Sequence, residues 1–161
     1  MSRRADIVMS ETEVDAYLAS QLTMIIISNG LQGYPHPMPM HFCIGEDRTI
    51  AMTTFKKSQK VANYRRDPRA SLLVESGTTY EALRSVLIYA RAEIIDDLDA
   101  TAQCMIDCRA HSNDVRGTPR TLEDDQAFAT TARIRAAKRL VLKFHPERYI
   151  SWDHAKLGGR Y

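Results

Sequence analysis

The sequence predicts a mainly β fold, a six-stranded antiparallel barrel or strongly curled sheet with helices at its periphery. Three observations carry this expectation. Apolar and β-branched runs recur with turn residues between them, at Asn29-Gly30 and Gly45-Glu46-Asp47, so the early strands form a meander of hairpins. The run from Tyr34 to Ile44 carries Pro35, Pro37 and Pro39, which suits only a strand with one free edge. Helical patterns are confined to the start, to a short stretch near residue 61, and to one block over 98–137. The 161 residues read as one domain with that block as a helical insertion.

The elements follow in order. Ser10-Glu11-Thr12-Glu13 has the form of a capping box, and Val14, Tyr17 and Leu18 give a helical face over 11–20. A continuous apolar strand covers 22–28, and a second runs from Tyr34 to Ile44. On that second strand Met38, Met40, Phe42 and Ile44 share a face with His36, while Pro37, Pro39, His41 and Cys43 lie on the other. Its prolines remove backbone donors from one edge. A third strand over 48–53 leads into helical turns from Val61 to Arg66, stopped by Asp67-Pro68. Strands over 69–75 and 83–95 follow. A helix over 98–110, a polar loop over 112–121 and a helix over 122–137 precede the last strand, 139–151. The tail from Trp152 onward shows little pattern.

Composition excludes some functions. A formal net charge of +2 gives no global basic field, so a small anionic ligand is favoured over a nucleic acid. Cys43, Cys104 and Cys108 are an odd number without zinc-like spacing, so free thiols in a reducing compartment are expected. Arg3-Arg4 is not followed by an apolar segment, and the densest apolar patch is Met24 to Ile27. No signal segment or membrane span is expected, and the cytoplasm is the default location.

The richest chemistry lies in Thr53-Thr54-Phe55-Lys56-Lys57-Ser58-Gln59-Lys60. Hydroxyls and lysines gather where a strand hands over to a helix. Ser58 is placed to cap that helix, and a helix start with nearby cations suits a phosphate. The glycines of a nucleotide triphosphate loop are missing. A phosphorylated ligand is therefore expected, although a solvated basic turn has the same composition. Lys56 is expected to face solvent. Only one of Thr53 and Thr54 can face the core.

These features in this order resemble the pyridoxamine 5′-phosphate oxidase-like split β-barrel flavoproteins. The likeness rests on Tyr17-Leu18, the strand Met24 to Ser28, and Gly33-Tyr34-Pro35-His36-Pro37-Met38-Pro39-Met40. It continues through Ile50 to Thr54, Lys57-Ser58-Gln59-Lys60, Asn63 to Arg69 and, more loosely, Ser151-Trp152-Asp153. The resemblance implies a six-stranded antiparallel split β-barrel with helical caps, a homodimer, and a cofactor between protomers. That cofactor is usually FMN; some relatives use the deazaflavin F420 and a few bind haem. By position, Thr53 and Thr54 would line the flavin and its ribityl chain, and Lys57, Ser58 and Lys60 would hold the phosphate. Met38, Pro39 and Met40 would pass the ring edge, and Trp152 would reach the neighbouring protomer's cofactor. The resemblance implies a flavin-dependent oxidoreductase acting on a small molecule, with no protein acid or base assigned. Lys57 is the candidate to stabilise the reduced flavin anion. The chain carries Arg91 where many relatives have glycine, and it offers only Lys156 and Arg160 where the vitamin B6 oxidases have a longer arginine-rich C-terminal segment for the substrate phosphate. Oxidation of pyridoxamine phosphate itself is therefore not expected.

Other readings use the same residues. The first is an F420-dependent reductase on the same fold. The second is a flavin or haem carrier or sensor without turnover, and the third a protein with a basic turn and no cofactor. Met38 and Met40 fit core packing as well as a cofactor wall. Trp152 fits a cover for the core or a subunit seam. His36 and His41 cannot pair across opposite strand faces. Arg65, Arg66 and Arg69 fit a charged helix end. Cys104, Cys108 and His111 share a helical face, where a buried thiol stripe is the commoner outcome and no metal is expected.

Overall fold

The computed structural model describes residues 3–159, so the expectation attached to Arg160 lies outside the described residues. After a short 3-10 turn at Arg3–Ile7 come helix α1 (Glu11–Ala19) and strands β1 (Thr23–Asn29), β2 (Pro35–His41), β3 (Cys43–Ile44) and β4 (Ile50–Phe55). Helix α2 (Gln59–Arg66), β5 (Arg69–Ser76), β6 (Arg84–Ile95), α3 (Leu98–Arg116), α4 (Leu122–Ala136) and β7 (Arg139–Asp153) complete the order. The strands form one sheet, β2-β1-β5-β6-β7-β4-β3, with every neighbouring pair antiparallel.

Seven strands stand where six were expected, because the run from Tyr34 to Ile44 is divided at Phe42. Its first part pairs with β1 from Asn29↔Pro35 to Thr23↔His41. Its second part pairs with β4 through Cys43↔Ala51 and Ile44↔Ile50. The strands at the two ends of the sheet are thus consecutive in the chain, and Phe42 is the single residue between them. One strand shared between two edges curls the sheet onto itself. The prolines fall where they do least harm: β2 keeps its ladder to β1 with donors from His36, Met38 and Met40, so the donorless positions face the outer edge.

The interior is filled by Met24, Ile26, Phe42, Ile50, Met52 and Phe144 together with Leu72, Ile88, Leu140 and Leu142, all essentially without exposure. Each such side chain contributes about 1.5–3 kcal/mol by leaving water. α1 closes one end with Val14, Tyr17 and Leu18, and its capping box forms as expected. The Tyr17 hydroxyl donates to the Arg84 carbonyl at 3.0 Å and lies 2.9 Å from the Ser76 hydroxyl, and the Arg84 guanidinium lies 4.6 Å over its ring. α2 inserts Val61 and Tyr64, the latter edge-on to Phe144 at 5.4 Å. The β6–β7 ladder is bent by a bulge after Tyr89↔Arg148, where Ala90 next meets Pro146.

Two expected boundaries move. α3 runs on to Arg116, through Ser112-Asn113-Asp114, which had the composition of a loop. Ser112 is 9 % exposed, with its hydroxyl 3.3 Å from His41 Nδ1, and Gly117 at φ 61° is the left-handed cap. Packing against the sheet carries the helix past its polar residues. β7 extends through Trp152 to Asp153, which pairs with Arg84 at 3.2 Å, so the tail starts later than its composition suggests. Among the described residues, no helix is long and apolar enough to cross a membrane.

Phe42→Ala is expected to lower the unfolding free energy by about 3–5 kcal/mol, read as a fall in the denaturant midpoint with the folded circular dichroism spectrum retained. A loss below ~1 kcal/mol would mean that the crossing between β2 and β3 is not held by this ring.

Candidate functional site

The basic turn lies where β4 meets α2. β4 alternates its faces, so Met52 and Thr54 point inward while Thr53 stands half-buried on the other side and Phe55 is exposed. Ser58 occupies the cap position of α2 but makes no cap hydrogen bond, contrary to expectation. Its hydroxyl turns instead toward Thr54 Oγ1, 3.3 Å away. One turn later Lys60 folds back over the same hydroxyl, and its Nζ donates to Thr54 Oγ1 at 3.1 Å.

Lys60 is the unusual member of this group. It is 7 % exposed, and among the described residues it forms no ion pair. A buried ammonium whose partner is a neutral hydroxyl has lost much of its hydration without gaining a countercharge. Burial first, and the neighbouring Arg139 charge second, pull the Lys60 ammonium below its ordinary value. Arg139 opens β7 opposite Phe55, and its guanidinium stacks 4.1 Å over that ring. It too makes no ion pair among the described residues. Two like charges therefore act on one corner, where Thr54 and Ser58 also present hydroxyls, an arrangement that an anion would complete.

The surrounding cations behave differently. Lys56, expected to face solvent, pairs with Asp96 at 2.6 Å. Lys57 is exposed. Arg69 is paired with Asp67 at 2.7 Å, and Arg66 donates to the Asn29 carbonyl, so these two serve the helix end and its neighbouring strand. Lys156 donates to the Val8 carbonyl at 2.8 Å and pairs with Glu13 at 2.7 Å, which ties the tail to α1.

On the next face of α2, Gln59 donates to Asn63, which donates to Ser28 at 2.9 Å. Gln59 and Asn63 line a cavity of about 310 Å³ with Tyr34, Pro35 and His36, whose buried Nδ1 has no hydrogen-bond partner among the described residues. Cavities of about 430 and 450 Å³ lie beside α1 and over the sheet where β1, β5 and β6 run side by side. Arg48 in the first is paired with Glu11 and Asp15, and Arg69 in the second with Asp67, so neither offers the unbalanced buried charge of the corner.

The nine site residues expected from sequence divide into three sets. Thr54 meets both Ser58 and Lys60, with Thr53 and Lys57 adjacent in the chain. Met38 and Met40 are half-buried and pack against the core, whereas Pro39 is exposed on the opposite face, so these three do not share a surface. Trp152 pairs with Ser85 near the far end of β7, while Arg139 at the near end pairs with Phe55, so Trp152 stands away from the corner of its own chain. Arg139 and Asn63 were not foreseen. The signal for Arg139 is its register opposite Phe55, which exists only once β4 and β7 are paired across more than 80 residues of chain.

Residues 10–153 match the family described as pyridoxamine 5′-phosphate oxidase. Among solved structures, the conserved hypothetical protein Rv2991 from Mycobacterium tuberculosis is 34% identical; the likeness covers 100% of this chain and 95% of that one, with a TM-score of 0.81. An F420 reductase is 19% identical over 84% of this chain and 94% of its own, with a TM-score of 0.58. A FAD-binding protein from Mesorhizobium loti is 15% identical over 89% and 92%, with a TM-score of 0.59. These last two likenesses concern the fold alone. No curated protein matches the chain. The family match runs from the cap of α1 to the last residue of β7 and so takes in every strand and the basic corner: the chain belongs to the pyridoxamine 5′-phosphate oxidase family.

Proposed function

We propose that the protein is an FMN-dependent oxidoreductase of this family that acts as a homodimer on a small molecule. The observation that carries the reading is the buried Lys60 ammonium beside Arg139, with no carboxylate among the described residues to balance it. Lys60, Ser58 and Thr54 would hold the phosphate, with Arg139 as a further cation. Thr53 and Thr54 would line the ribityl chain. Lys57, exposed beside the corner, would stabilise negative charge on the reduced ring. Met38 and Met40 would support the rim of the ring site from the core side, with Pro39 on the outer face. FMN when bound supplies hydride acceptance and release. The protein positions it, balances its phosphate and keeps water from that corner.

Homodimer formation is supported by the position of Trp152. It lies at the other end of β7 from the corner, so its contact would be with the partner's cofactor. The single domain read from sequence, with α3 and α4 as its insertion, belongs to the same proposal, as does a cytoplasmic location.

The released cofactor decides the first point. Mass spectrometry is expected to find FMN, together with turnover between a nicotinamide donor and an acceptor. A mass and fluorescence typical of F420 would replace the lead with a deazaflavin reductase held at the same corner. A Soret band, or stoichiometric FMN without turnover against a broad panel, would make the protein a carrier.

Combining Lys60→Ala with Ser58→Ala is expected to weaken FMN binding by about a hundredfold or more, since hydrogen bonds to a charged group are worth roughly 1.5–3 kcal/mol each. An unchanged dissociation constant in a fluorescence titration would move the phosphate elsewhere. Lys60→Met separates function from folding. It is expected to raise the stability of the cofactor-free protein by roughly 0.5–2 kcal/mol while abolishing tight FMN binding; a destabilised protein would mean that the ammonium is balanced by a group other than the ligand.

Affinity is also linked to pH. The Lys60 pKa is depressed in the free protein, and a bound phosphate raises it. Between the two values binding takes up a proton, so FMN affinity falls as pH rises through that window. Over the same interval the unfolded chain binds more protons than the folded one, so the free protein gains stability as pH rises. FMN titrations stepped from neutral to pH ~10 are expected to show this decline in the natural protein and a shallower one in Lys60→Met. Equal slopes would remove Lys60 from the phosphate.

A further inference from the structure

All three cysteines of the chain meet at one point. Cys43 comes from β3, and Cys104 and Cys108 lie one turn apart on α3. Their Sγ atoms are all within 4.8 Å of one another, with Cys108 and Cys43 at 3.6 Å, and none is in a disulfide. Cys43 and Cys104 are 8 % and 6 % exposed, while Cys108 is half-buried and gives the cluster an opening. Ala51, Ile95 and Val141 form the apolar wall. Ala51 points to the opposite side of β4 from Thr54, so the thiols lie on the outer face of the sheet, under α3, apart from the phosphate corner.

A plain core would be satisfied by alanine or valine here. Three thiols offer something else. An ion bound by three thiolates at about 2.3 Å holds its sulfurs about 4 Å apart in a trigonal arrangement. The observed separations reach that spacing with side-chain shifts of ångström size. A disulfide would engage two of the thiols at about 2.05 Å and leave the third unpaired. The three thiols share their hydrogen bonds unequally. Cys104 and Cys108 donate toward Cys43 and draw its thiol well below the ordinary value, with a smaller contribution from His111. Hydrogen bonds within the cluster, together with burial, push the Cys104 and Cys108 thiols well above the ordinary value.

We propose that Cys43, Cys104 and Cys108 form a three-thiolate site for one soft, thiophilic metal ion of the Zn(II) or Cu(I) kind. Binding breaks three S–H bonds, sends the protons to solvent and forms three metal–sulfur bonds, with no change in oxidation state. Thiolate ligands select such ions over harder ones. Zn(II) leaves the smaller net charge in the apolar pocket and has room for a fourth ligand on the Cys108 side. Cu(I) accepts three sulfurs alone. The site does not depend on the cofactor reading above.

The test uses the full, reduced chain. Zn(II) and Cu(I), each added as the metal alone, are titrated in competition with a chromophoric chelator while sulfur-to-metal absorption in the ultraviolet is followed. One equivalent per chain is expected for one of the two ions, and the ion retained identifies which. Cys43→Ser, Cys104→Ser and Cys108→Ser are each expected to lower the affinity at least about a hundredfold with FMN content unchanged. The corresponding alanine variants, checked by circular dichroism, cover any failure of the serine forms to fold. Accessible thiols counted with an aromatic disulfide reagent should fall when the ion is added. Surrender of both ions to the chelator at once, or equal retention by the triple alanine variant, would overturn the proposal.

Discussion

Much of the molecule depends on the crossing at Phe42. The residues before it belong to one edge of the sheet and those after it to the other, so the chain itself joins the two edges. A fully buried ring at the crossing ties that closure to the core. The same step of one residue turns Met38, Met40, Phe42 and Ile44 toward the interior and leaves Cys43 outside, against α3. The position of β4, and with it the corner at Thr54 and Lys60, follows from its pairing to β3 on one side and β7 on the other.

The corner sets local stability against readiness for a ligand. An ammonium in a closed site with only a hydroxyl to meet it is unfavourable by itself. A barrel with a core of large apolar side chains can carry such a cost. Arg139 adds to the imbalance in place of relieving it, because its stacking on Phe55 fixes a second positive charge at the same end of the sheet. A group of this kind stands out beside paired cations such as Lys56 with Asp96 and Lys156 with Glu13.

Local signals were readable wherever they sufficed. The capping box at Ser10, the proline pattern of β2, the turn at Gly45 and the Asp67-Pro68 stop all mark element boundaries within a few residues. What failed was whatever depends on distant partners. The polar run at 112–114 carries no sign that His41 will meet Ser112, so the helix looks finished too early. The division of one strand into β2 and β3 follows from closure and has no mark of its own at Phe42. In the corner, Thr54, Ser58 and Lys60 were legible because they lie within seven residues of sequence. Arg139 was not, since its register with Phe55 is a property of the folded sheet. The spacing of Cys104 and Cys108 announces a helical face, but Cys43 joins them only because the barrel closes.

The proline row of β2 has a consequence for what can rest against it. In an antiparallel strand the N–H and C=O of one residue point the same way, so the outer edge at Pro35, Pro37 and Pro39 offers carbonyl oxygens and no hydrogens. Another strand needs both and would find half of its ladder missing there, which guards the rim against edge-to-edge aggregation. A molecule that brings N–H groups of its own meets a set of acceptors already in place. The rim thus discriminates by hydrogen-bond polarity, rejecting peptide backbone while remaining open to a donor-bearing ligand.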